Sequence, residues 1–364
     1  MGRYLSLRDL DWPMVSIALI VCALGVLQIY SATHDTNPKW SDAWWKQILF
    51  VAAGLFLMWL VASFDYHSFL GQVPAMYLLS ILGLLAVYLF GTSTFGARRW
   101  ISVLGFAFQV SEFVKIVLLL LVARFLTELK GDTLELRDLL RVAGLVAVPF
   151  LLVARQPDLG TALTYVPLVA VGAFLAGLRW KYVLVVGLVV LAVLPGTWYL
   201  LKDYQKARLV SVLDPERDPR GTGYQVIQSK IAVGAGGMWG KGVTQGTQTQ
   251  LRFLPVPHTD FIFSAFAEEH GFAGVIAVLT LYFILLMQIV QNAQTAPDRA
   301  GMYICMGVAA LLLFHLLVNV GMVVGRMPVT GIPLPLMSAG GSNTLSTFVM
   351  LGLVNNVSLR RFVN

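Results

Sequence analysis

Charge is what this sequence has least of. Of its 364 residues, 12% are charged and 57% are hydrophobic, where a soluble domain has about 25% and about 45–50%. So little charge cannot cover a water-soluble globule of this size, which excludes a single soluble catalytic domain. The same apolar content excludes a disordered chain. Cysteine is nearly absent: Cys22 and Cys305 each stand alone in an apolar run. Without a CxxC or a Cys/His cluster, neither a disulfide framework nor a zinc site is indicated. No period of roughly 20–50 residues stands out, so a solenoid is not supported. Barrel-type alternation is missing too. No small-residue cleavage site follows the first apolar run, which therefore reads as a retained span rather than a removable signal.

Long apolar runs are present in abundance, and the mean hydropathy is +0.75. A helical span needs about 20 mostly apolar residues. Ten segments are candidates, the fifth and tenth of them short enough to be tilted or partly buried: roughly 12–30, 47–64, 74–90, 110–127, 139–153, 161–178, 182–201, 271–291, 302–325 and 343–357. Lipid offers the backbone no hydrogen bonds, so continuous runs of this kind are helices. The expected fold is an all-α polytopic membrane protein of about ten transmembrane helices, one integral membrane domain over residues 1–364. A large extracytoplasmic loop, residues 202–270, separates the seventh and eighth spans. Its proline/charge cluster (LDPERDPRGTG) and glycine-rich stretch (GAGGMWGKG) suit a structured, functional loop better than a connector.

An even number of spans puts both termini on one side. Arg3, Arg8, Lys130, Arg137, Arg179, Lys181, Arg299, Arg360 and Arg361 then share one face, against Lys39, Lys46, Arg98, Arg99, Arg155 and Arg326 on the other. That bias places both termini in the cytoplasm. The net charge of +7 is scattered over helix ends. It fits anchoring at membrane lipid headgroups, and no nucleic-acid partner is expected. Trp40, Trp44 and Trp45 would form part of an outer aromatic belt.

Ionisable residues within a span cost about 2.5–3.5 kcal/mol each on insertion scales and need a partner or a function. Glu112 and Lys115 lie three apart in QVSEFVKI, on one helical face. Asp158 of RQPDLGT is a second candidate partner for Lys115, or a helix cap. The three could line an outward-facing polar cavity or form a buried network that fixes packing. Arg98 and Arg99 suit bidentate phosphate binding or headgroup anchoring. Asp260, beside His258 and Thr259 in HTDF at the membrane boundary, suits a general base or an oxygen ligand for a divalent cation. Glu268 and Glu269 could reach the same vestibule or mark the start of the next span. The segment MPVTGIPLPLMSAGGSN breaks helical structure with three prolines and places Ser338 and Ser342 where hydroxyls could hold a polar headgroup.

The stretches GARRWI, QVSEFVKI, QPDLGT, GYQVIQS, HTDFIFSAFAEEHGFAG and PVTGIPLPLMSAGGS, in that order, resemble the SEDS family of bacterial cell-wall proteins along nearly the whole chain. The opening DWPMVSIALI and the MPVTGIPLPLMS segment favour its elongation branch over its division branch. Two departures are Val110 where the family has proline and Asn343 where it has serine. Neither removes a charged position. The resemblance implies a peptidoglycan glycosyltransferase of the bacterial cytoplasmic membrane that polymerises lipid II on the outer face. It also implies a class B penicillin-binding protein, a transpeptidase, as partner. It makes Asp260 the residue tied most closely to activity, with Glu112, Lys115 and Asp158 at further family positions. No cofactor is certain; Mg²⁺ is a candidate, with Asp260 as its ligand. A lipid II flippase and a non-catalytic scaffold are the alternative readings.

Overall fold

Each of the ten apolar segments has too few polar side chains to compete with its own backbone, and each is helical. The computed structural model describes residues 10–34, 40–94, 97–103, 106–129, 133–218 and 221–361. Arg3, Arg8, Lys39 and Lys130 lie outside the described residues, as does the side chain of Arg98. The helices are α1 (Trp12–Thr33), α2 (Ala43–Ser63), α3 (Tyr66–Phe90), α4 (Val110–Thr127), α5 (Leu136–Arg155), α6 (Leu159–Leu163) and α7 (Val166–Leu175). They continue with α8 (Trp180–Leu200), α9 (Asp203–Leu213), α10 (Thr222–Ala235), α11 (Thr247–Gln250), α12 (Ile262–Gln294), α13 (Arg299–Val323) and α14 (Gly341–Arg360). Among the described residues, five helices, α1, α2, α3, α12 and α13, are long and apolar enough to cross a membrane by length and composition alone. Helices α4, α5 and α14 carry more polar groups, and the α6–α7 span is interrupted. Helix α4 holds Glu112, Lys115 and Arg124 within 18 residues.

Three details differ from the sequence expectation. The sixth span is two helices, α6 and α7, because Pro167 has no N–H to continue the ladder. The Thr164 hydroxyl donates instead to the Thr161 carbonyl at 2.6 Å. The eighth span starts at Ile262 rather than Gly271. Its first nine residues are a buried segment that ends at a kink, where Gly271 has φ 65° and ψ −167°. The N–H groups of Phe272 and Ala273, freed by the kink, donate to the carbonyls of Gly237 and Met238 at 2.9 and 3.0 Å. The third difference is a small antiparallel meander between α3 and α4: β1 (Thr92–Thr94), β2 (Ala97–Val103) and β3 (Phe106–Phe108). Its register pairs Thr92 with Trp100 and Ile101 with Phe108.

Gly271 is the hinge on which this arrangement depends. Its dihedral region is essentially closed to other residues, and an added Cβ would overlap the Gly240 backbone nitrogen. Gly271→Ala is expected to destabilise the protein by about 1–3 kcal/mol, read as a lower unfolding midpoint in detergent. An unchanged midpoint would show that the kink can relax.

Helices α2 and α14 pack closest, through small residues. A Cβ on Gly352 would lie 2.8 Å from the Met58 carbonyl oxygen, and one on Gly341 would lie 2.6 Å from the Phe50 ring. Close backbone approach of this kind replaces the hydrophobic drive that lipid cannot supply. Cys22 and Cys305 are free and buried, as packing residues. Residues 10 and 361 lie at the same end of the bundle. There the Asp11 N–H donates to the Asn355 side chain at 2.8 Å, and the Arg360 Nε lies 3.4 Å from Asp65.

At the opposite end the 202–270 interval folds as α9, α10, α11 and the head of α12. Glu268 and Glu269 are its internal anchors and are fully buried. Glu268 accepts from Lys241 Nζ at 2.8 Å and from the N–H groups of Gln248 and Thr249 at 2.9 and 3.2 Å. Glu269 accepts from Ser31 Oγ at 2.5 Å and from Gln28 Nε2 at 3.2 Å. The two carboxylates thus tie α11 and α1 to the head of α12.

Candidate functional site

Three irregular segments converge at that opposite end: the turn before α6, the loop before α12, and residues 326–340. Gly160, two residues after Asp158, sits against the last of them. A Cβ there would lie 2.5 Å from the Thr330 carbonyl oxygen. Gly331, with φ +73°, sits against the loop before α12, where an added Cβ would lie 3.4 Å from Asp260 Oδ2. The proline-broken segment is therefore a partition that packs against both the Asp158 turn and the Asp260 loop.

The partition is fastened to the Asp260 loop by hydrogen bonds. The Ser338 hydroxyl donates to the Thr259 carbonyl at 2.7 Å and accepts from the Leu334 N–H at 2.8 Å. The Ala339 N–H donates to the His258 carbonyl at 2.9 Å. From α13, Asn319 Nδ2 donates both to the Asp260 carbonyl at 3.1 Å and to the Ile332 carbonyl at 2.9 Å. Ser338 is thus a fully buried clamp. Ser342, also buried, accepts from the Gln109 N–H at 2.9 Å.

Asp158 does several jobs at once. It caps α6 by accepting from the Thr161 N–H at 3.3 Å, and it accepts from Gln109 Nε2 at 2.8 Å. Its Oδ1 lies 3.4 Å from Arg99 Nη1. Both the cap and the charge-bearing role hold, but its cation is Arg99 of β2. Lys115 instead donates to Glu112 Oε2 at 2.8 Å and lies 3.3 Å from His315 Nε2. The pair is almost wholly buried, Glu112 at 3% and Lys115 at 1% exposure. Ser346 of α14 donates to the same Glu112 oxygen at 3.3 Å.

Asp260 is half-buried, and loss of water pushes its carboxyl above the usual range. The guanidinium groups of Arg99 and Arg208 pull it down, as does the Thr259 hydrogen bond, while Asp158 pushes it up. Arg208 comes from α9 in the long interval. His258 is buried against Trp40, with ring centroids 4.5 Å apart, which takes Trp40 out of a purely lipid-facing belt. Burial lowers its pKa to about 4, so the imidazole is neutral near pH 7 and offers an anion no charge.

Four buried polar atoms around this carboxylate have no hydrogen-bond partner among the described residues: His258 Nε2, Asn319 Oδ1, Thr330 Oγ1 and Arg99 Nε. Each such atom costs about 1–3 kcal/mol when left dry. Their concentration here is what a site completed by water or a polar ligand requires. Among the described residues no group of three His, Cys, Asp or Glu side chains could hold a metal ion.

The structure thus brings Asp260, His258, Ser338, Asp158 and Arg99 into one neighbourhood. Glu112, Lys115 and Ser346 form a buried network of their own, while Glu268 and Glu269 serve a separate joint. Sequence reasoning missed Arg208, Gln109, His315, Asn319 and Gly331. An intramembrane histidine and asparagine four apart in FHLLVN were a readable signal, since polar groups in spans are costly.

Comparison with known proteins agrees with this fold. A family model described as cell cycle protein, covering FtsW, RodA and SpoVE, matches residues 11–362. The peptidoglycan glycosyltransferase MrdB of Escherichia coli K12 is 39% identical over 358 residues, 97% of this chain and 94% of the relative. A chain from a structure of a peptidoglycan synthase complex, solved for its coordination of polymerization and crosslinking, is 37% identical with a TM-score of 0.83, covering 98% of this chain and 99% of that one. The crystal structure of the rod shape determining protein RodA of Thermus thermophilus is 30% identical with a TM-score of 0.72, covering 97% and 98%.

Proposed function

From the premise that the chain belongs to the FtsW, RodA and SpoVE family of cell cycle proteins, we infer how its site carries out the family's chemistry. The chain is a peptidoglycan glycosyltransferase and a multi-pass protein of the bacterial cytoplasmic membrane. Its proposed substrate is lipid II, a disaccharide-pentapeptide on an undecaprenyl pyrophosphate. The reaction takes place on the outer face, and both termini are cytoplasmic. The charge bias of the loops supports that orientation. A class B penicillin-binding protein is the proposed partner. The likeness to a chain from a complex that couples polymerization to crosslinking supports it.

One observation carries the mechanism. A carboxylate with a raised pKa faces two guanidinium groups at the bundle end that the charge bias assigns to the outside. The donor sugar is α-linked to pyrophosphate and the product is β-linked, so one inverting displacement suffices. Asp260 takes the proton of the acceptor 4-hydroxyl as that oxygen bonds to the donor C1. The C1–phosphate oxygen bond breaks, and the electron pair leaves on the pyrophosphate. Arg99, held in place by Asp158, and Arg208 offset the charge of the leaving group. A single carboxylate suits Mg²⁺, which takes one or two protein carboxylates and fills its other positions with phosphate oxygens and water. Were Asp260 a metal ligand instead of the base, bound Mg²⁺ would supply neutralisation of the pyrophosphate.

The test is polymerisation of lipid II by the purified protein with its partner transpeptidase, with and without chelator, resolved as glycan on a gel. Translocation of lipid II across vesicles without polymer would overturn the reading. The pH dependence has a defined sign. Asp260 works as the carboxylate, so activity falls as pH drops through its raised pKa. Arg99 pulls that pKa down, so Arg99→Gln is expected to move the acidic limb to higher pH, besides slowing the reaction. A limb that stays in place would separate Arg99 from the Asp260 charge.

A further inference from the structure

His315 lies in the middle of α13 and is buried, at 3% exposure. Its ring touches two polar groups. Nε2 is 3.3 Å from Lys115 Nζ, and Nδ1 is 3.1 Å from the Pro333 carbonyl oxygen. The ammonium of Lys115, paired with Glu112 at 2.8 Å, can only donate, and a carbonyl can only accept. Both contacts are satisfied together by one form of the ring alone: the neutral tautomer with its proton on Nδ1 and its Nε2 lone pair on Lys115. An imidazolium would turn an N–H toward the ammonium. The other neutral tautomer would leave the Pro333 carbonyl without a donor.

Asn319, one turn further along α13, holds the neighbouring Ile332 carbonyl and the Asp260 carbonyl. The same helix face thus grips two successive carbonyls of the partition whose Gly331 backs the Asp260 carboxylate. We propose that His315 is a positioning residue. Held as its Nδ1–H tautomer by Lys115, it pins the Pro333 carbonyl and so sets the height of the Gly331–Pro333 backbone over Asp260. The buried Glu112–Lys115 pair then acts on the reaction through His315 without touching substrate. This inference rests on Asp260 as the reacting carboxylate.

The first measurement needs no variant to be active. Protein labelled with ¹⁵N-histidine, in detergent, gives one ring signal pair for each of the 5 histidines, and the spectrum of His315→Asn assigns the pair from His315. The expected result is a protonated Nδ1 and an unprotonated Nε2. A proton on Nε2, alone or on both nitrogens, overturns the proposal. The second measurement splits the two contacts. An asparagine amide reaches about where Nδ1 sits and can still donate to the Pro333 carbonyl; a glutamine amide reaches about where Nε2 sits and cannot. His315→Asn is expected to keep most of kcat, and His315→Gln to lose up to about 100-fold in kcat with little change in KM for lipid II. Equal kcat for the two variants, at equal thermal stability, also overturns it. If Asp260→Asn polymerises normally, the Asp260 reading falls, while the tautomer result still judges the His315 geometry on its own.

Discussion

Asp260→Asn is expected to lower glycan polymerisation by about 10²–10⁴-fold, the usual worth of a general base, while leaving the fold intact. The amide has the same shape, and the loop that carries it is held mainly through backbone carbonyls. Asn319 holds the carbonyl of residue 260, Ser338 that of Thr259, and Ala339 that of His258. None of these bonds involves the carboxylate. The unfolding midpoint should therefore stay close to that of the native protein while the rate collapses. The measurement is glycan synthesis from lipid II by the protein with its partner transpeptidase, with thermal unfolding in parallel. Undiminished synthesis would remove Asp260 from the chemistry. Recovery of Asp260→Asn in excess Mg²⁺ would shift its role from base to metal ligand.

Lys115→Met has the largest expected effect on stability. The ammonium is buried to 1% exposure and bonded to Glu112 at 2.8 Å. Removing it strands a carboxylate that then has the Ser346 hydroxyl, at 3.3 Å, as its described donor. Breaking a buried pair from one side costs about 3–5 kcal/mol. The double variant Glu112→Leu/Lys115→Met removes both charges and is expected to recover most of that loss, because no uncompensated charge is left buried. Chemical or thermal unfolding of the two variants in the same detergent measures the difference. Equal stability for single and double variants would show that Glu112 finds water or another cation when Lys115 is gone.

Much of this was legible in the residues, and the reason is the membrane. Apolar runs without internal polar groups have one way to satisfy their backbones, so the spans could be read directly. Charge inside such runs is scarce, which made Glu112, Lys115 and Asp158 stand out. Pairings were harder to read. Asp158 was a candidate partner for Lys115 because both are charges near span ends, yet Arg99 on a short strand reaches Asp158 and Lys115 keeps Glu112. Spacing along the chain carries no information about a strand folding back over a helix head. The kink at Gly271 was hidden for a related reason. The carbonyls that cap its freed N–H groups belong to Gly237 and Met238, more than thirty residues upstream. His315 and Asn319 were legible in principle, as polar groups four apart in an apolar helix, and their partners on the proline-broken segment were not.

The clamp between residues 258–260 and 334–339 also has a consequence in time. Carbonyls on one strand of chain bind donors on the other, so neither can open while its partner stays closed. Local opening therefore takes both together, as a single cooperative unit of the kind native-state exchange detects. Thermal breathing of the vestibule, on whatever scale from nanoseconds upward, carries Asp260 and its glycine backing as one rigid piece. The separation between the carboxylate and Gly331 is therefore expected to vary less than its distances to Arg99 and Arg208, which are anchored on β2 and α9.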